Sequence, residues 1–188
     1  MAGPGDAARC IAVIGAARAD AALSRAAGEV GAAIARAGWS LVCGGLGGVM
    51  DAACQGFREA RDRGDAPAGG RTIGLLPGAD RAAAGPAMDL VFPTGMGYAR
   101  NVLVVLAGEA VVAVGGGSGT LSEVCHAWQH GRPVCLLGGT GGLADELGLA
   151  GRRLDWRHER PIHRADDAAA AVAWCIAAAD EVRRGATG

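Results

Sequence analysis

One junction constrains this chain more than any other. The apolar, β-branched run Ala110-Val111-Val112-Ala113-Val114 passes through Gly115-Gly116-Gly117-Ser118-Gly119 into a helical pattern of Leu121, Val124, Cys125 and Trp128. A strand that ends in glycines and re-enters a helix bares backbone N–H groups beside the positive end of a helix dipole. That is a site for a phosphate or another anion. Glycine suits it because the backbone there must take positive φ or touch a ligand with no Cβ in the way. Glu123 follows, read here in the first helical turn. A carboxylate next to a phosphate cradle repels the phosphate, so it suits chemistry on what the phosphate carries. The structural alternative is a capping box, with Thr120 capping the helix and Glu123 reaching back to the cap N–H.

The rest of the chain repeats this grammar. Strand-length apolar runs at about Cys10–Ile14, Trp39–Cys43, Thr72–Leu76, Asp89–Phe92, Ala110–Val114 and Pro133–Leu137 alternate with helix-length segments at Ala21–Ala37, Val49–Arg61, Tyr98–Ala107 and Ala168–Arg183. A further short strand is expected at Pro161–His163. Runs without polar alternation, spaced by helices, specify a parallel sheet buried on both faces. The expected fold is α/β: a Rossmann-like, doubly wound parallel sheet with helices on both faces. One domain is expected over residues 10–188, behind an N-terminal tail of residues 1–9 with no apolar secretory segment. Ligands in such sheets bind outside the carboxyl ends of the strands. The turns at 44–48 and 115–119 both follow strands, so they are expected on one edge, within reach of one ligand.

Composition removes several functions. All 18 basic residues are arginine. A pyridoxal-phosphate Schiff base and a Walker A loop both need lysine, so both are excluded. The dinucleotide fingerprint G-x-G-x-x-G is matched at none of the three turns after strands, which argues against a nicotinamide dehydrogenase. No cofactor is expected. Net charge is −1 with no basic run, so nucleic acid is not an expected partner. Nor is a membrane, since no apolar segment approaches about 18 residues. The six cysteines include no C-x-x-C pair and sit mostly in apolar patterns, as reduced thiols in a cytoplasmic protein would. Hydrophobic residues make up 51%, an excess that suits a homo-oligomer burying one face.

These motifs resemble the "lonely guy" (LOG) phosphoribohydrolase family. Gly115 to Glu123 is similar to its P-G-G-x-G-T-x-x-E signature, with glycine for the proline. Cys43-Gly-Gly-Leu-Gly-Gly-Val-Met50 is similar to Y-G-G-G-x-x-G-L-M-G, one residue shorter. Thr94-Gly-Met-Gly-Tyr-Ala-Arg100-Asn101 stands where the family carries M-x-x-R-K, with Asn101 for the lysine. The three departures look like the LOG-related branch that includes molybdenum-cofactor carrier proteins. The resemblance covers about Cys10 to Leu137.

It implies hydrolysis of the N-glycosidic bond of a nucleoside 5′-monophosphate, giving free base and ribose 5-phosphate. Glu123 and Arg100 would be catalytic, the carboxylate facing an oxocarbenium-like transition state. The nucleotide would be bound by Gly116, Gly117, Ser118, Gly119 and Thr120 at the phosphate. Gly44, Gly45, Gly47, Gly48 and Met50 would bind it from the second motif, and Thr94, Gly95 and Asn101 from the third. The resemblance also implies a homodimer joined through helices beside the cleft. The alternative is a non-catalytic carrier that holds a nucleotide or the phosphorylated, pterin-type molybdenum cofactor in the same cleft.

Other residues carry less. His126 and His130 share a helix face at i, i+4, but no third ligand or H-E-x-x-H glutamate accompanies them, so no metal site is expected. Trp39, Trp128, Trp156 and Trp174 read as core or interface residues. Asp166-Asp167 reads as a helix cap.

Overall fold

A computed structural model describes residues 9–185. Seven strands form one parallel sheet: β1 (Cys10–Gly15), β2 (Ser40–Cys43), β3 (Thr72–Leu76), β4 (Leu90–Pro93), β5 (Ala110–Val114), β6 (Val134–Leu137) and β7 (His163–Ala165). Their spatial order is β4-β3-β2-β1-β5-β6-β7. The chain steps outward from β1 to β4, then returns to lay β5 against the other side of β1, with Gly15 opposite Val114. The crevice beyond the carboxyl ends of β1 and β5 is therefore the topological switch point of a doubly wound sheet.

Six helices cover both faces: α1 (Ala21–Arg36), α2 (Val49–Asp62), α3 (Asn101–Ala107), α4 (Ser118–Gln129), α5 (Gly142–Glu146) and α6 (Ala168–Gly185). On one side Ile11, Val13, Leu41 and Val112 pack with α1, α2 and α6. On the other, Ala12, Ile14, Val111 and Ala113 pack with α3, α4 and α5. Alternate residues thus enter different cores, which is why the strands show no polar alternation. The helix ends are chemically marked. Asp20 caps α1 by accepting from Leu23 N–H at 2.8 Å. Asp167 accepts from Ala170 N–H at 2.8 Å, as the acidic pair predicted.

Three details differ from the sequence reading. The segment expected as one helix from Tyr98 begins as a 3-10 turn, Gly97–Arg100, and becomes α helical only at Asn101. The last strand starts at His163, not Pro161; proline has no N–H to donate to a ladder. The short helix α5 lies in the glycine-rich stretch after β6, where Gly141 and Gly142 take positive φ and propensity favours a loop. Of the tail expected at residues 1–9, residues 1–8 lie outside the described residues. Arg9 is anchored, bonding Asp180 at 2.6 Å and lying 3.8 Å over the ring of Trp39.

All six cysteines are free thiols, five of them buried. Among the described residues, no helix is long and apolar enough to cross a membrane. Trp39 and Trp128 are core residues, Trp174 stacks on His163, and Trp156 stands in solvent at 83% exposure.

Candidate functional site

The helix that leaves β5 begins at Ser118 with Gly117 as its N-cap, and no side chain caps it. Thr120 is the third helical residue, buried against Gly116, whose φ is +102° and where a Cβ would fall 2.4 Å from the threonine hydroxyl. The capping box does not form. Glu123 is the sixth helical residue, so it lies in the second turn and not the first. Gly117 and Gly119 have nothing within 4 Å of where a Cβ would stand. Their bareness is not demanded by packing; it keeps the helix N-terminus open to an approaching group.

Glu123 faces Arg100. The arginine ends the 3-10 turn and is 5% exposed; Glu123 is 7% exposed. Arg100 Nη1 lies 3.4 Å from Glu123 Oε1 and donates to Asn101 Oδ1 at 2.6 Å. Its Nη2 donates to the Gly44 carbonyl at 2.9 Å. Its Nε is buried with no partner. Asn101 in turn donates to Ser122 Oγ at 2.8 Å, and Ser122 donates to the Gly119 carbonyl at 2.7 Å. One network thus ties the arginine to the phosphate-type turn. Burial lifts the Glu123 carboxyl to about 7, with Arg100 opposing the rise. Burial also lowers the Arg100 guanidinium, with Glu123 opposing that fall.

The second glycine turn works mainly as scaffold. A Cβ on Gly44 would fall 2.3 Å from Arg100 Nη2, so glycine makes room for the guanidinium. Gly48 takes φ +67°, and a Cβ there would fall 2.4 Å from the Ala16 carbonyl oxygen, which accepts from Val49 N–H at 3.0 Å. From this motif Leu46 and Met50 reach the cleft, while Gly44, Gly45, Gly47 and Gly48 are not among its lining residues. Thr94 and Gly95 do not line it either. They tie β4 to β3, Thr94 Oγ1 donating to the Leu76 carbonyl at 2.7 Å and Gly95 N–H to the Gly78 carbonyl at 3.1 Å.

The cleft itself encloses about 650 Å³ at the switch point. Of the residues the motifs single out, Arg100, Asn101, Gly117, Ser118, Gly119, Thr120, Glu123 and Met50 line it, and Gly116 does not. Sequence reasoning missed Gly15, Ala16 and Ala17 at and just after the end of β1, and Leu46, Pro77, Tyr98 and Ser122. The β1 residues had a signal, since any turn after a switch-point strand faces the ligand side. Chemically, the site combines an open helix N-terminus with an ion pair and an apolar wall. Among the described residues, no group of three or more His, Cys, Asp and Glu side chains is placed to hold a metal ion.

The model of the SLOG cluster4 family matches residues 8–172. An uncharacterised protein of Archaeoglobus fulgidus is 39% identical over 127 residues, covering 68% of this chain and 78% of its own. Among solved structures, the molybdenum cofactor binding protein of Rippkaea orientalis superposes with a TM-score of 0.74 at 31% identity, covering 92% of this chain and 98% of that one. The molybdenum cofactor carrier protein of Chlamydomonas reinhardtii gives 0.73 at 35% identity, covering 90% and 98%. The chain belongs to the SLOG cluster4 family, within the LOG-related group that its motifs resemble.

Proposed function

Taking that membership as the premise, we propose that this protein binds a phosphorylated small molecule in the switch-point cleft and holds it as a carrier. The phosphate sits on the open N-terminus of α4 at Gly117–Thr120, and the rest of the ligand lies across Arg100 and Glu123. The observation that carries this reading is the uncapped helix start with Gly117 and Gly119 bare toward the cleft. The likeness to two molybdenum-cofactor binding proteins over nearly their whole length supports carriage. So does the mutual neutralisation of Arg100 and Glu123, which leaves a binding surface with little net charge beside the anion seat.

Hydrolysis of a nucleoside 5′-monophosphate is the second reading, and Glu123 favours it. A carboxyl at about 7 is substantially ionised near neutral pH, as a general base requires. It would take a proton from water as the water oxygen bonds to C1′. The C1′–N bond breaks and the base leaves with its electron pair, gaining a proton from solvent. The two readings part on one experiment: incubate the protein with a panel of nucleoside monophosphates at saturating concentration and assay free base. A carrier binds and returns its ligand intact. A hydrolase releases base, and Glu123→Gln slows it by about a hundredfold or more while binding survives or tightens. If neither a nucleotide nor a pterin phosphate binds, both readings fail.

A homodimer belongs to the same proposal. Leu90 and Phe92 on β4 are 45% and 51% exposed, and they pair in register with Ile73 and Leu75 of β3, half-buried beside the α3 core. This apolar sheet face is the surface for a second copy, beside the 3-10 turn that carries Arg100.

A further inference from the structure

Tyr98 is the chain's only tyrosine, and it stands 86% exposed at the wall of the cleft. Its backbone is held. Gly97 N–H donates to the Pro77 carbonyl at 2.9 Å, and the Tyr98 carbonyl accepts from Asn101 N–H. Two residues further on, Arg100 is locked into its network. A ring on so fixed a backbone, left in water, is placed and unsatisfied; a tyrosine otherwise buries its large apolar face.

The surroundings say what would cover it. Tyr98 shares the cleft with Leu46 and Met50, from the turn after β2 and the start of α2, and with Pro77 after β3, while Gly117–Thr120 follow β5 into α4. With β1 between them, β5 lies two strand spacings from β2 and three from β3, roughly 10 to 14 Å. The cleft therefore has an anion end and an apolar, aromatic end, and a ring carried on a linker such as the ribose of a nucleotide extends from the first toward the second. Arg100 and Glu123 meet between them.

We infer that Tyr98 is a specificity-determining residue that stacks on a planar heteroaromatic ring, so that the cleft selects phosphorylated ligands carrying such a ring over simple phosphate esters. This rests on the anion seat proposed above. Stacking needs only a π face, so a purine and a pterin are both admissible, and the test separates them.

Binding of adenosine 5′-monophosphate, a hydroxymethylpterin phosphate and ribose 5-phosphate is measured by calorimetry on wild type, Tyr98→Ala and Tyr98→Phe, with thermal melts to check folding. Tyr98→Ala is expected to weaken a ring-bearing probe about tenfold or more, within the range of base–aromatic stacking, and to leave ribose 5-phosphate unchanged. Tyr98→Phe keeps the stack and stays within about threefold of wild type. The ring probe that shows this dependence identifies the source. Equal loss for both probe types, or no loss, overturns the role of Tyr98. If wild type binds ribose 5-phosphate but neither ring probe, the anion seat stands and the ring inference falls. If it binds none of the three, the proposed function falls and takes this inference with it.

Discussion

Arg100 Nη1 lies 3.4 Å from Glu123 Oε1, and both side chains are less than a tenth exposed. Two charges taken from water in this way stabilise the fold little as a pair, but removing one leaves the other buried and unmatched. Arg100→Met is expected to cost about 3–5 kcal/mol by urea denaturation. Arg100→Met with Glu123→Leu should recover at least half of that loss. A single variant as stable as wild type would show that Glu123 meets the loss by keeping its proton and that the pair adds nothing to the fold.

The Glu123 carboxyl also sets a pH dependence. Its pKa is about 7 in the fold against an ordinary 4.5, so the folded state holds the proton more tightly than the unfolded state. The stabilisation this gives is complete below about 4.5 and is lost as pH rises through about 7. Wild type should therefore lose on the order of 3 kcal/mol relative to Glu123→Gln between pH 4 and pH 8, and the difference should level off above that. Denaturation curves at stepped pH check it; a difference that grows in wild type's favour as pH rises has the wrong sign.

Gly119 separates binding from folding. It lies inside α4 with open space around it, so Gly119→Ala should leave stability unchanged or raise it by up to about 1 kcal/mol, the helix preference of alanine. Gly119 also lines the cleft at the proposed anion seat, so affinity for ribose 5-phosphate should fall by about tenfold or more. Calorimetry beside a thermal melt reads both. Undiminished affinity would move the phosphate away from this turn.

The apolar face of β3 and β4 predicts the oligomer. Wild type is expected to sediment as a dimer at micromolar concentration, an obligate interface covering upward of about 2,000 Å². Phe92→Glu, at a half-exposed position, should give a folded monomer. A stable wild-type monomer removes the claim.

The fold was largely legible in the sequence because strands buried on both faces read as continuous apolar runs, and glycines mark where each one turns into a helix. That a helix leaves β5 through the glycines followed from the same motifs, but its start at Ser118, which puts Glu123 in the second turn beside Arg100, did not. What the glycines of the second turn are for did not follow. Gly44 yields space to a guanidinium 56 residues away, and Gly48 to the backbone of Ala16. Thr94 ties strand to strand, and Thr120 packs against Gly116 where the alternative reading made it a cap. Local chemistry therefore determined which elements form and where an anion could sit. Tertiary packing alone decided which residues face the cleft, because a side chain's role there depends on neighbours supplied by distant strands of one parallel sheet.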